Sequence, residues 1–338
     1  MRKLLYALAA ITLLFTSWAQ AAPELRSDHP ERYTVVKGDT LWDISGRFLN
    51  NPWSWPEIWH VNPQVANPHL IYPGDRLALV YIDGKPRVTK VASSDVVKLS
   101  PQVRSESLDT PIPAIPLDAI SSFLTDTRIV EPEVLSGAPY VLEGEDGRII
   151  TGSGDRVYAR GGKPADKVGI FRRTKEFVDP VTGEFLGLEA RSIGSGDVIA
   201  ENGDVLTLRL TKSNQEIRIG DRLLTNVNRP LSTSFIPNAP AEQVTGQMIA
   251  VDAGVSQIGQ YDVVVVNRGT RDGVESGNVL AILKSGNMVR DPITKEIIEL
   301  PSERAGLMMI FQAYEKVSYG LILQATRALS VGDKVTNP

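Results

Sequence analysis

"YTVVKGDTLWDIS", residues Tyr33 to Ser45, sets a Gly-Asp turn between an alternating apolar run and a run with helical spacing. On the near side Tyr33 and Val35 alternate with Thr34 and Val36, the two-residue period of a half-buried strand. Beyond Gly38-Asp39 the period lengthens, and Leu41, Ile44 and Phe48 fall on one helical face. Thr40 followed by Asp43 is a helix start signal, because the Thr40 hydroxyl can accept from a first-turn amide that the helix leaves without a partner. A second start lies at Ser54, with Glu57 three residues on, and leads into Ile58, Trp59 and Val61. Pro63 ends it by pushing Asn62 out of the helical region. "LIYPGDRLALV", from Leu70, then places a Pro-Gly-Asp turn before an apolar strand. The predicted order is strand, helix, helix, strand.

That order, carried by Tyr33, Val35, Gly38, Trp42, Ile44, Asn62-Pro63, Leu70 to Gly74 and Leu77, resembles the LysM domain, a small βααβ glycan-binding module. The resemblance covers about 33 to 81, rests on "GDTLW", "NP" and "LIYPGD" in that order, and bounds a domain at 30–84. It implies binding to N-acetylglucosamine-containing chains in a shallow groove between the loop after the first strand and the loop before the second. Carried onto this sequence, Gly38, Asp39, Thr40 and Leu41 line one side, and Asn62, Pro63, Leu70 and Ile71 the other. Gly38, Asp39 and Thr40 are expected to offer backbone and Ile71 an apolar wall. Leu41, Ile44 and Leu77 read as core in preference to ligand contacts, since so small a domain needs each apolar side chain. Asp39 reads also as the stabiliser of its own turn and the cap of the helix. The spacing from Trp42 to Asn62 is longer than usual for the family, and the added "NNPWSWPEIW" carries Trp53, Trp55 and Trp59. These indoles either stack on sugar faces or staple the longer loop to the core.

The chain opens "MRKLLYALAAITLLFTSWAQAAPEL", with a basic Arg2-Lys3, an apolar stretch and an Ala19-Gln20-Ala21 cleavage pattern, so residues 1–21 read as a secretory signal peptide. The apolar run of about 12 residues is short of the roughly 20 that span a bilayer. With no cysteine, neither a lipid attachment site nor a disulfide nor a thiolate metal centre is expected. The expected compartment is the bacterial periplasm, where the implied glycan is peptidoglycan. The net charge of −4 becomes about −6 once Arg2 and Lys3 are removed, which argues against nucleic acid as a partner.

At 338 residues, 42% apolar and 22% charged, the chain has room for two or three ordinary globular domains. Residues 85–139 carry Pro86, Pro101, Pro111, Pro113, Pro116, Pro132 and Pro139 and read as a Pro-rich linker. Within it "IPLDAISSFL" places Leu117, Ile120, Phe123 and Leu124 on one face, a short helix expected to dock on the region C-terminal to it. The remainder is strand-rich, with turns spelled in "GSGDRVYARG", "GSGDVIA", "IGDRLL", "SGNVLAIL" and "VGDKV". It also repeats. "VDPVTGEFLGLEA" and "RDPITKEIIELPS" place Asp179 and Asp291 112 residues apart, and "IGDRLL" and "VGDKVT" place Gly220 and Gly332 at the same offset. "DRVYARG" and "YDVVVVNRG" align upstream of them. The expected fold class is α+β multidomain: a LysM module, a linker with a short helix, and a mainly β region of two tandem related domains at 140–228 and 247–336.

Taken together, the signal peptide, the LysM pattern, "PIPAIPLDAISSFL", "APYVLEG", "GDRVYARG" and "DPVTGEFLGLEA" resemble the type IV pilus secretin-associated protein family (TsaP). The resemblance implies a LysM module gripping peptidoglycan and a C-terminal region associated with the outer-membrane secretin, a role compatible with a homo-oligomer in a ring assembly. Two other readings compete: a LysM-targeted wall hydrolase, and a general envelope or flagellar-assembly interaction protein. Catalysis is not expected. Thiol nucleophiles are absent, and His29, His60 and His69 lack zinc-ligand spacing. The "GSG" runs at 152–154 and 194–196, read as strand turns, have no histidine base beside them. No cofactor or metal is expected.

Overall fold

The computed structural model describes residues 23–59, 71–91, 112–121, 123, 127–225, 235–251, 258–284, 286 and 288–338, and the chain divides into Met1–Ile112 and Pro113–Pro338.

In the N-terminal unit Arg32–Thr34 (β1) leads to the helix Leu41–Phe48 (α1), a 3-10 turn Pro52–Ser54, a short helix Trp55–Ile58 (α2), and the strands Arg76–Ile82 (β2) and Lys85–Val91 (β3). The three strands form one antiparallel sheet in the order β1-β2-β3. Ile44, Phe48, Ile58, Ile71, Leu77 and Val88 fill the core between helices and sheet. The strand β3 is a departure from the linker expected to begin at residue 85. Its cause is local: Asp83 and Gly84 both adopt positive φ, 51° and 73°, the two-residue turn whose twist matches that of a hairpin. Pro86 is tolerated because β3 is an edge strand. The module also begins before residue 30, since Leu25 bridges Leu49 and the Arg26 amide bonds the Phe48 carbonyl at 2.9 Å.

The C-terminal unit opens with a 3-10 turn Leu117–Ala119, a strand Thr127–Val130 (β4) and a short helix Pro132–Ser136 (α3). Ile120 and Phe123 are buried, and the Phe123 ring lies 5.7 Å from Tyr319 and 6.2 Å from Phe311, so this segment docks on the β-rich region as expected; Leu124 is outside the described residues. Then come Tyr140–Gly144 (β5), Ile150–Thr151 (β6), Arg156–Arg160 (β7), Lys167–Val178 (β8), Phe185–Asn202 (β9), Val205–Ser213 (β10), Ile217–Arg218 (β11) and Arg222–Thr225 (β12). Their main sheet runs β10-β7-β5-β12-β8-β9-β4, and β9 also pairs with β10, which closes six strands into a ring with β4 outside; β6 pairs with β11.

A second run comprises Thr245–Val251 (β13), Val263–Val266 (β14), Val279–Lys284 (β15), Met288–Arg290 (β16), Ile297–Glu299 (β17), Glu303–Ala313 (β18), Ser318–Ala325 (β19) and Lys334–Thr336 (β20). Six of these form a closed barrel, β13-β14-β19-β18-β15-β20, with β16 and β17 as a separate hairpin. Read around the ring from β5, the first set has the same cyclic order. Registers agree as well: Ile170 faces Gly194 and Ile282 faces Gly306, each pair followed by a bulge on the second strand, at Ile193 of β9 and Ala305 of β18. The cores use matching positions, with Val157, Ile170 and Leu210 in one and Val264, Ile282 and Ile322 in the other.

The Gly-Asp turns share one mechanism. In residues 152–155, 218–221 and 330–333 the Asp carboxylate accepts the amide three residues back, at 2.9, 2.8 and 2.8 Å, while the intervening glycine holds φ of 94°, 90° and 98°. "SGN" at 276–278 does the same with Asn278 as acceptor, at 2.7 Å. The "GSGD" at 194–197 is an exception to the predicted turns and lies inside β9. Neither Gly194 nor Gly196 has positive φ; a Cβ there would sit 2.4 Å from the Lys212 carbonyl oxygen and 2.9 Å from that of Arg209. These glycines let neighbouring strands approach in a closed barrel.

Candidate functional site

Gly38 to Leu41 form the junction between β1 and α1, held by one backbone reversal and two bonding arrangements. Gly38, exposed at φ 97°, provides the reversal. The Asp39 carboxylate accepts the Val36 amide at 2.8 Å and the Tyr33 hydroxyl at 2.9 Å, and Asp39 is only 8% exposed. The Thr40 hydroxyl oxygen accepts the Asp43 amide at 3.1 Å while Asp43 accepts the Thr40 amide at 3.3 Å, a reciprocal capping box. The cap is therefore Thr40, and Asp39 works on the turn. Of the four first-turn amides that a helix cannot satisfy within itself, the box takes those of Thr40 and Asp43; the other two are those of Leu41 and Trp42.

The opposite turn repeats the design. The Asp75 carboxylate accepts the Tyr72 amide at 3.0 Å, Gly74 has φ 94°, and Lys90 Nζ lies 2.7 Å from Asp75. Val35 ties the two turns together, its amide bonding the Asp75 carbonyl at 2.9 Å and its carbonyl accepting the Gly74 amide at 2.8 Å. The structure thus brings Gly38, Asp39, Thr40 and Leu41 beside the Ile71 to Asp75 turn. Asn62, Pro63 and Leu70 lie outside the described residues.

Side chains at the site divide by burial. Leu41 is 6% and Ile71 1% exposed, so both side chains belong to the core and neither is the apolar groove wall expected of Ile71. Trp55 is buried and meets Trp59 edge-on at 6.5 Å, while Trp59 bridges Val88 on β3; Trp53 is half-buried. Trp55 therefore staples the inter-helix segment. Lys90 was not among the expected residues because it lies on β3, beyond the expected module boundary; its signal was the Asp83-Gly84 hairpin turn. Tyr33 is held by Asp39 and has the Arg47 guanidinium 4.6 Å above its ring. Burial, and then the bond to Asp39, raises the Tyr33 hydroxyl above its ordinary pKa, so it remains a neutral donor.

Two substitutions separate backbone from carboxylate. Gly38→Val is expected to destabilise the N-terminal unit by about 2 kcal/mol through left-handed strain alone, since nothing lies within 4 Å of an added Cβ. Asp39→Ala strands the Val36 amide and Tyr33 hydroxyl and is expected to cost about 2 kcal/mol as well. Thermal melts of residues 23–112 measure both; an unchanged melting temperature in Asp39→Ala would mean that the carboxylate does not hold the turn.

Residues 33–79 match the family model for the LysM domain. A 60-residue stretch is 40% identical to the "Uncharacterized protein YqbP" of Bacillus subtilis (strain 168), covering 15% of this chain and 27% of that protein. The chain thus spans about a quarter of that relative's length.

Proposed function

We propose, from the LysM domain at residues 33–79, that this protein is a non-catalytic anchor that grips peptidoglycan in the periplasm and holds an envelope machine to the wall. The LysM domain carries carbohydrate binding as its general property. The observation that carries the reading here is the paired turn site. The exposed Gly38 turn and the first-turn amides of Leu41 and Trp42, which the capping box leaves out, would supply the donors for the acetamido carbonyl of N-acetylglucosamine. No side-chain acid or base is needed for that contact.

The machine we assign is the type IV pilus secretin, on the TsaP resemblance of the linker and barrel motifs, with Pro113–Pro338 as the partner-binding part and residues 1–21 as the export signal. The shared strand order and registers of the two β sets support reading them as tandem copies of one barrel. Binding of each unit to sacculi tests the wall half of the proposal. Crosslinked capture from a piliated cell tests the partner half: recovery of the secretin is expected, and recovery of wall fragments without it would remove the pilus role.

A further inference from the structure

We propose that the β16–β17 hairpin seats on the first barrel of a second copy of this chain, building a head-to-tail multimer. The reason is an internal precedent. The first copy of the hairpin, the β8–β9 tip, is already seated on a barrel: Asp179 accepts from Asn267 Nδ2 at 2.8 Å and lies 3.7 Å from Arg268, Glu184 takes both terminal nitrogens of Arg271 at 2.6 and 2.7 Å, and Lys175 bonds the Val251 carbonyl at 3.0 Å. Phe177 and Leu186 on that hairpin are buried.

The β16–β17 tip is the same loop. Asp179 accepts the amides of Val181 and Thr182 at 2.8 and 3.1 Å, and Asp291 accepts those of Ile293 and Thr294 at 2.7 and 3.2 Å. Gly183 and Lys295 close the two loops with φ of 72° and 64°. The surroundings differ. Val289 and Ile298, 112 residues on from Phe177 and Leu186, are exposed, and Met288, Ile293 and Ile297 are 67%, 88% and 69% exposed. Among the described residues no bond of Asp291 leaves its own hairpin.

The seat is duplicated too. On the second barrel it is the loop after β14 laid over the β18–β19 turn, with the Thr270 amide bonded to the Tyr314 carbonyl at 2.8 Å; there Val317 is buried, and so is Phe311, against the Phe123 ring at 6.2 Å. On the first barrel the loop after β7 meets the β9–β10 turn in the same way, Gly161 amide to Asp204 carbonyl at 3.0 Å. Ile199 and Val205, which occupy the places of Phe311 and Val317, are exposed. Arg160 ends β7 where Asn267 and Arg268 follow β14.

Among the described residues there is therefore one apolar hairpin without a seat and one seat without a hairpin, both exposed. A contact between two different surfaces is heterologous and repeats from copy to copy, as a ring or a filament. A second copy is the occupant that matches both halves, because each already has its counterpart within the chain. Such an array would also multiply one weak glycan module into many.

Sedimentation velocity on the full chain is the test. Multimers rising with concentration are expected by about 100 μM, the range in which a micromolar interface is saturated. The double substitution Ile293→Asp, Ile297→Asp removes the hairpin, and Ile199→Asp removes the seat; each alone should be monomeric. Mixed, they should form a dimer and stop, because one intact hairpin then meets one intact seat. Should Ile199→Asp fail to fold, Val205→Asp makes the same substitution on the seat. A wild-type monomer at that concentration, multimers in either variant alone, or no dimer on mixing would overturn the proposal. A monomer that floats with anionic phospholipid vesicles through this hairpin would overturn it in favour of a membrane surface.

Discussion

Replacing Asp179 by alanine is expected to destabilise Pro113–Pro338 by about 3 kcal/mol, several times the effect of the same replacement at Asp291. The two carboxylates sit in matching loops and accept matching pairs of amides, so the loop contribution cancels in the comparison. What remains is the contact between barrels. Asp179 is buried and receives Asn267, itself buried, so its loss leaves an amide group enclosed without its acceptor. Asp291→Ala, on a solvent-facing loop, should cost about 1 kcal/mol or less. Urea unfolding followed by circular dichroism measures both, and equal losses would mean that the junction bond contributes nothing.

The same group gives the unit a pH dependence. Burial alone would raise the Asp179 pKa, but the amides of Thr182 and Val181, with Asn267 and Arg268, outweigh it and hold the carboxyl below its ordinary value. Glu184 is lowered as well, chiefly by its bond to Arg271. A carboxyl with a lowered folded pKa stabilises fully above its unfolded pKa, and that contribution drains away as pH falls through the folded one. Wild type should therefore lose more stability between neutral and strongly acidic pH than Asp179→Ala does.

Gly194→Ala and Gly306→Ala are expected to cost about 3 kcal/mol each, from overpacking against rigid backbone. An added Cβ at either position lies 2.4 Å from a carbonyl oxygen of the next strand, Lys212 in one barrel and Gln324 in the other. The two acceptors are themselves 112 residues apart, as are the glycines. Gly152 has open space around it and φ outside the left-handed region, so Gly152→Ala should change stability by less than about 0.5 kcal/mol. Similar melting temperatures for Gly152→Ala and Gly194→Ala would place Gly194 back in a turn.

That contrast also explains what sequence pattern alone resolves. A Gly-Asp pair predicts a turn where the glycine must take positive φ and the carboxylate closes the turn, as at 154–155, 220–221 and 332–333. The same letters at 196–197 arise from strand crowding, a tertiary demand with no local signature. The β1-α1 junction was legible because both of its devices, the Gly38 reversal and the Thr40 box, act within a few residues. Strand β3 had a local signal in Asp83-Gly84, obscured by Pro86 and by the prolines beyond it. The burial of Leu41 and Ile71 was not decidable from the motif, since an apolar residue at a groove and one beneath it look alike. The seating of one hairpin and the exposure of its copy likewise depend on which barrel lies next to each in space.

The junction limits how the halves can be studied. Glu189, buried on β9, accepts the Tyr319 hydroxyl at 2.9 Å, and Lys316 pairs with Glu131 at 3.2 Å, so removing 247–336 would expose groups that the first barrel needs covered. The clean cut lies between Ile112 and Pro113.

Cosedimentation with purified peptidoglycan sacculi, carried out in parallel on residues 23–112 and 113–338, tests the wall-anchor claim most directly. The first fragment is expected in the pellet and to be released by added N-acetylglucosamine oligomers, with the second remaining in the supernatant. Pelleting of 113–338 to the same extent, or a folded 23–112 that stays in solution, would contradict the claim that the LysM domain is what holds this protein to the wall.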